Sequence, residues 1–209
     1  MINVIISFTM TIFASSVAYA ESGLLNECKA SASNVGKVCA DGSVYAGNSQ
    51  ESNTPVFTTK CDAGQNWDGV KCAGSRTRFP WNDGNSRGMV ATGTTNPVDG
   101  AAHTKKLVKL DADALSSGKQ PHQAARYCAN LSAHGHEDWY LPSKEELEIL
   151  YALHESNPEI SQFSTLASNV YWSSSETDHS SAIAQSFRSG QIQPYFLKVL
   201  PGSVRCIRK

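Results

Sequence analysis

The sequence is poor in the arrangements that covalent chemistry needs. No two cysteines stand at the C-x(2–4)-C spacing of a zinc site. No G-x-S-x-G elbow presents a strained nucleophile. No block of Lys and Arg offers a phosphate footprint. The formal charge is −1 over 209 residues, with both signs interspersed, which argues against nucleic acid as a partner. The closing Arg205, Arg208 and Lys209 form a small basic cluster that reads as a solvated chain end.

Charge is also missing from the first twenty residues, which hold no Lys, Arg, Asp or Glu. Ile5 to Val17 is mostly apolar, and Ala18-Tyr19-Ala20 fits the small-x-small rule before the polar chain opens at Glu21. Residues 1–20 are therefore expected to be a secretory signal peptide. The apolar stretch is short for a membrane span of roughly 20 residues. A positive leading region is absent, so an uncleaved anchor is the alternative, and a membrane is a partner only in that case. No cysteine lies where a lipid anchor would need one.

What the chain does have is six cysteines: Cys28, Cys39, Cys61, Cys72, Cys128 and Cys206. An even count behind an export signal points to disulfides in an oxidising compartment. Six cysteines allow fifteen pairings. Spacing favours Cys28–Cys39 and Cys61–Cys72, each eleven apart around Gly/Asn/Asp-rich residues. Cys128 and Cys206 then remain to clamp a helix to the terminal strand. Loop-closure entropy gives about 3 kcal/mol for each short loop and about 4.5 kcal/mol for the long one.

Residues 21–75 read as a cysteine-containing, loop-rich N-terminal extension, with short strands at Ser43–Tyr45 and Val56–Thr59. Alone they could not bury enough apolar surface, so they need disulfides or docking. Residues 76–209 read as the main domain. Its early part is a loop system with strands at Met89–Ala91 and Leu107–Leu110, the latter alternating with lysines as an edge strand would. A helix starts near Pro121, with Ala124, Cys128 and Leu131 on one face, and stops at Gly135. A second follows Ser143, whose spacing from Glu146 makes a capping box. Leu147, Leu150, Tyr151 and His154 form its inward stripe, and Asn157-Pro158 ends it. Strands are expected at Val170–Trp172, Ile183–Phe187, Ile192–Val199 and Ser203–Ile207, with Pro194 confining the third to an edge and Pro201-Gly202 as a turn. Helices followed by antiparallel strands make an α+β domain.

Candidate sites are sparse. Trp139 and Trp172 read as core, whereas Trp67 and Trp81 lie in loops and are better placed for exposure. Trp81-Asn82-Asp83 has the letters of the calcium motif of lectins but precedes both helices, so it reads as a turn. No cofactor is expected. A structural calcium held by Asp and backbone carbonyls of the Gly-rich loops is the one metal reading left open. His134, His136, Glu137 and Asp138 lack a third ligand at a helical offset and read as a solvated loop. Ser173, Ser174 and Ser175 sit near Asp178 and His179 in sequence without a nucleophile elbow, so no catalytic residue is assigned. The remaining candidates for ligand contact form a polar rim around the late strand connections: Glu176, Asp178, His179, Arg188, Gln191, Gln193 and Tyr195. Such a mixture of amides, guanidinium and phenol suits a glycan or a protein surface.

Four ordered strings carry a family resemblance. They are G-H-E-D-W-Y-L-P-S-K-E-E-L at Gly135–Leu147, Y-W-S-S-S-E at Tyr171–Glu176, A-x-x-F-x-x-G at Ala184–Gly190 and V-R-C-I-R at Val204–Arg208. Together they resemble the Legionella collagen-like protein C-terminal domain family, DUF1566, over roughly residues 76–209. The resemblance implies a C-type-lectin-like fold, two helices with antiparallel sheets, in bacterial exported or surface proteins. The namesake binds sulfated glycans and helps bacteria attach. This chain lacks the namesake's collagen-like Gly-x-y stalk, which removes the usual route to trimers. Its oligomeric state is not set by the sequence.

The expectation is an exported, disulfide-stapled module, secreted, periplasmic or at the cell surface, that binds a glycan or surface protein non-covalently. The alternatives are a structural component of an envelope, pilus or phage-tail assembly, and an enzyme on a lectin-like fold. The last would need reactive cysteines, and all six are accounted for as pairs.

Overall fold

A computed structural model describes residues 31–82, 91–114, 122–166 and 169–209. The expected signal peptide, Cys28, Asp83, Met89 and Pro121 lie outside the described residues.

Strands β1 (Val44–Asn48) and β2 (Pro55–Thr58) pair antiparallel, and β10 (Ile207–Arg208) adds to β2 as the third strand of a small sheet. A two-residue hairpin follows, β3 (Asn66–Trp67) with β4 (Cys72–Ala73). The main sheet has five strands in the order β5-β9-β6-β7-β8. They are β5 (Arg78–Pro80), β6 (Tyr171–Glu176), β7 (Ser181–Gln185), β8 (Ile192–Leu197) and β9 (Pro201–Ser203). All its pairs are antiparallel except β6 with β9. The helices are α1 (Gly100–Ala114), α2 (Gln123–Ala129), α3 (Lys144–Ser156) and the short α4 (Pro158–Ser161), preceded by a 3-10 turn at Ala32–Asn34. The fold is α+β and consistent with a lectin-like architecture. Among the described residues it has four α-helices where two were expected.

The extra helix α1 overturns the edge strand expected at Leu107–Leu110. The alternation with lysines concealed a helical period: His103, Leu107 and Asp111 are buried at four-residue intervals, with Thr104 beside them. Asp99 caps the helix by accepting from the Ala102 N–H at 2.9 Å. Helix α2 ends at Ala129, with Asn130 as its C-cap, earlier than Gly135. Its Ala124, Ala125 and Cys128 are buried, as small side chains packed closely on a sheet should be. Leu131 lies beyond its end.

Helix α3 has the capping box written in its sequence. Ser143 Oγ accepts from the Glu146 N–H, and Glu146 Oε2 accepts from the Ser143 N–H at 2.8 Å. Glu146 does more: Tyr140 donates its hydroxyl to Oε1, and Lys209 reaches the same oxygen at 2.7 Å. Leu147, Leu150, Leu153 and His154 are buried. Pro158 ends α3 as expected but also opens α4, where its missing N–H costs nothing.

The terminal strand expected at Ser203–Ile207 is two strands in two sheets. Pro201-Gly202, expected as a turn, opens β9 (Pro201–Ser203) of the large sheet, whereas Ile207–Arg208 is β10 of the small one. Between them Val204, Arg205 and Cys206 cross the interior, each at most 1% exposed. Arg205 is therefore no solvated chain end. Gly202 is required on this path, because an added Cβ would lie 2.6 Å from Trp172 Nε1.

Two cores result. One packs Trp81, Leu107, Ala124, Trp139 and Trp172 between α1, α2 and the large sheet. The other packs Val44, Ala46 and Val56 with Leu147, Leu150, Tyr171, Phe187 and Ile207. The second core draws on β1 and β2, so residues 44–56 share an interior with the main domain.

Two disulfides join described cysteines, Cys61–Cys72 and Cys128–Cys206. The second fastens α2 to the crossing segment. Cys39 is also disulfide-bonded. Its expected partner Cys28 lies outside the described residues.

Candidate functional site

The Y-W-S-S-S-E string is interior. All six residues of β6 are buried. Trp172 donates its indole N–H to Phe79 O at 2.9 Å. Ser173 donates to Ile183 O at 2.8 Å, Ser174 Oγ lies 3.2 Å from His103 Nδ1, and Ser175 Oγ accepts from the Lys144 N–H at 3.0 Å. Each serine thus fastens β6 to a different neighbour. The histidine that meets a serine is His103, whose pKa burial pushes below the ordinary value, and not His179.

Glu176 ends that strand and is 5% exposed. Its oxygens accept from Lys198 Nζ at 2.6 Å, from the Thr92 N–H at 2.8 and 2.9 Å and from the Gly93 N–H at 2.9 Å. Burial opposes ionisation there, but Lys198 and the two backbone donors outweigh it and hold the carboxyl below its usual range. Lys198 also lies 4.7 Å from the Trp81 ring centroid. Trp81, expected to be exposed, is 1% exposed and donates to Ser173 O at 2.8 Å. Glu176 and Trp81 are internal ties with no surface to offer.

The other rim candidates separate into two groups. Asp178 and His179 occupy the turn between β6 and β7. Asp178 Oδ1 accepts from the N–H groups of Ser180 and Ser181 at 2.7 Å, which holds its pKa down and fixes the turn. Arg188 and Gln191 occupy the turn at the opposite end of β7 and are exposed. Gln193 and Tyr195 lie along the edge strand β8. Tyr195 is 70% exposed, and Leu197, Val199 and Leu200 continue an exposed apolar row. The structure thus unites Arg188, Gln191, Gln193 and Tyr195 on one turn and edge, and leaves Asp178 and His179 at the far end.

His134 and His136 are not a free loop. His134 Nδ1 lies 3.0 Å from Asp41 O, and His136 Nε2 lies 3.0 Å from Asp41 Oδ2. Arg208 donates to the same carboxylate at 3.0 Å. Burial would raise the Asp41 pKa, but Ser43, Arg208 and His136 lower it on balance. The loop is latched to the segment after Cys39. Among the described residues no group of three His, Cys, Asp or Glu side chains could hold a metal ion.

Residues 58–208 match the model of the Lcl C-terminal domain. The chain belongs to this family. No curated protein matches it significantly. In this Lcl C-terminal domain the family strings are scaffold: they cap α3, fill β6 and carry the crossing segment. Family membership favours non-covalent recognition over an enzymatic role. Among the described residues no helix is long and apolar enough to cross a membrane.

A cleft of about 280 Å³ that the sequence did not reveal lies between the β3–β4 hairpin and the turn after α2, lined in part by Trp67 and Tyr127. The sequence signal was Trp67 inside the Cys61–Cys72 loop, where an exposed indole is held by a covalent staple.

Proposed function

We propose that this domain is an extracytoplasmic recognition module that engages a protein on a surface through the β8 edge and the turn before it. The observation that carries this is the row Tyr195, Leu197, Val199 and Leu200, each at least 36% exposed. These exposed apolar side chains run from the middle of β8 into the turn after it, with Gln193 on the strand and Arg188 and Gln191 at its other end, and aromatic, apolar, amide and guanidinium groups are those of an interface. Pro194 removes one backbone donor from β8, and Thr177 donates its hydroxyl to Pro194 O. Open-ended strand addition is thereby discouraged, and side chains are left to make the contact. The disulfides fit an oxidising compartment outside the cytoplasm.

The test is a binding screen of the oxidised protein against surface proteins and glycans, with and without calcium, using wild type, Tyr195→Ala and Arg188→Ala. The expected result is a protein ligand whose binding falls at least about tenfold in Tyr195→Ala, as for an interface anchor. Glycan binding untouched by either variant would remove the β8 edge from the function. Self-association lost in Tyr195→Ala would assign the row to an assembly instead.

A further inference from the structure

The two disulfides between described cysteines stand in opposite surroundings. Cys128 is 0% exposed and Cys206 1%, and both belong to the core that holds Trp81 and Trp172. Cys61 and Cys72 are half-buried, and neither core contains any of residues 64–78. We propose that Cys61–Cys72 is a redox switch: a dithiol reductant opens it and frees the β3–β4 hairpin, while Cys128–Cys206 keeps the rest of the domain folded.

The hairpin has little else to hold it. Its strands are two residues each, Asn66–Trp67 and Cys72–Ala73. A two-stranded ribbon of that length is not stable by itself in water. Asp68 Oδ1 accepts from the Val70 and Lys71 N–H groups at 2.9 and 2.8 Å, which shapes the turn without attaching it to the body of the domain. Residues 66–71 are all exposed. Lys60 Nζ lies 4.1 Å from the Trp67 ring centroid, but Lys60 adjoins Cys61 at the base of the same loop. Among the described residues one hydrogen bond joins residues 66–72 to chain beyond residue 77, from the Cys72 N–H to Gln162 Oε1 at 2.8 Å. Without the disulfide, that bond is left to fasten the hairpin to the body.

Reactivity follows from this. An attacking thiolate must reach a sulfur, so the rate of exchange depends on access. For Cys61–Cys72 access takes a local opening of a hairpin that has no core to break, and such openings lie at the low end of the stability scale. For Cys128–Cys206 it takes separation of α2 from the crossing segment, which disrupts a core. Loop closure points the same way. Cys61–Cys72 closes a separation of 11 residues against 78 for Cys128–Cys206, and the bond of the shorter loop stabilises the fold less.

A thiolate of the dithiol attacks one sulfur of Cys61–Cys72, forming a mixed disulfide and breaking the bond between the two cysteines. The displaced cysteine leaves as a thiolate and takes up a proton. The second thiol of the reductant then attacks the reductant's own sulfur in the mixed disulfide. The reductant closes to a disulfide, and the other cysteine leaves and is protonated. Two electrons and two protons end on Cys61 and Cys72.

The consequence falls on the cleft. Cys61, Asn66 and Trp67 line one side of it, and Tyr127, Leu131 and Ser132 line the other. Freeing the hairpin removes the first side. The β8 edge shares no residue with the cleft and keeps its arrangement.

The test exposes the full oxidised chain to dithiothreitol for increasing times, blocks the thiols with N-ethylmaleimide and locates the label by mass spectrometry. The expected result is labelling of Cys61 and Cys72 about a hundredfold faster, or more, than of Cys128 and Cys206. In protein reduced at the first bond alone, amide hydrogen exchange should show residues 66–72 losing protection while α1, α3 and the large sheet keep theirs. Reoxidation should restore the protection. Gln162→Ala, which removes the remaining bond, should speed reduction of Cys61–Cys72 about threefold or more without changing that of Cys128–Cys206. The double variant Cys61→Ser with Cys72→Ser should reproduce the exchange of the reduced hairpin with no reductant present, which reads the switch independently of Gln162→Ala. Labelling of all four cysteines at one rate would show that reduction follows global unfolding and would overturn the proposal. Reduction of Cys61–Cys72 that leaves the exchange of residues 66–72 unchanged would overturn it as well.

Discussion

Arg205 and Asp62 meet in the interior at 2.7 Å across 143 residues of chain. Both are at most 2% exposed. Arg205 also donates to Thr59 O at 2.8 Å and Ser161 O at 3.0 Å, and its guanidinium lies 4.0 Å from the Phe163 ring centroid. Asp62 Oδ2 accepts from the Tyr171 hydroxyl at 2.6 Å and from Arg76 at 2.5 Å. One buried pair thus fastens the crossing segment, the N-terminal strands, α4 and β6 at a single point.

Removing one partner should therefore be worse than removing both. Asp62→Ala leaves a buried guanidinium uncompensated and should cost about 3–5 kcal/mol. A double change, Asp62→Ala with Arg205→Met, should cost less than the sum of the two single changes. Denaturant unfolding of the four proteins measures the coupling. Strict additivity would show that the two charges do not interact.

Glu176 gives the domain an acid sensitivity with a definite sign. Its folded pKa lies below the ordinary glutamate value. Its contribution is therefore fully present above the unfolded value of about 4.3 and drains away as pH falls through the folded value. Glu176→Gln should unfold more easily at pH 7 and lose less stability than wild type between pH 5 and pH 3. Urea midpoints at the two ends of that range test it, and parallel curves for the two proteins would contradict it.

The Cys128–Cys206 bond closes a 78-residue separation. Chain entropy assigns it about 4.5 kcal/mol. Replacing both cysteines by alanine should lower the melting temperature and the near-UV signal together, since α2 and the crossing segment share a core. A variant with an unchanged near-UV spectrum and an unchanged melting temperature would deny the bond its clamping role.

Legibility in the sequence followed the range of the interactions. The capping box of α3 was legible because Ser143 and Glu146 are three residues apart and the bonds are local. Helix α1 was not, since Lys105, Lys106 and Lys109 interleave with Leu107, Val108 and Leu110 and imitate a strand. Its buried face becomes visible only with the sheet beneath it. Pro201-Gly202 has the letters of a turn, yet pairing with β5 makes it a strand. For the same reason the polar rim divided. Asp178 and Arg188 are ten residues apart in sequence, but β7 holds them at its opposite ends.

The sequence by itself determined the family, the capped helix, the edge position of the strand containing Pro194 and the pairing of Cys61 with Cys72 and of Cys128 with Cys206. These rest on local spacing or on ordered strings. Only the tertiary structure decided that Glu176, Trp81 and Arg205 are internal while Trp67 and Tyr195 reach the surface. Burial is a property of what packs against a residue, and those neighbours come from distant parts of the chain. A carboxylate or guanidinium can enter a core only when its partners arrive with it, and here Lys198 and Asp62 do so from 22 and 143 residues away.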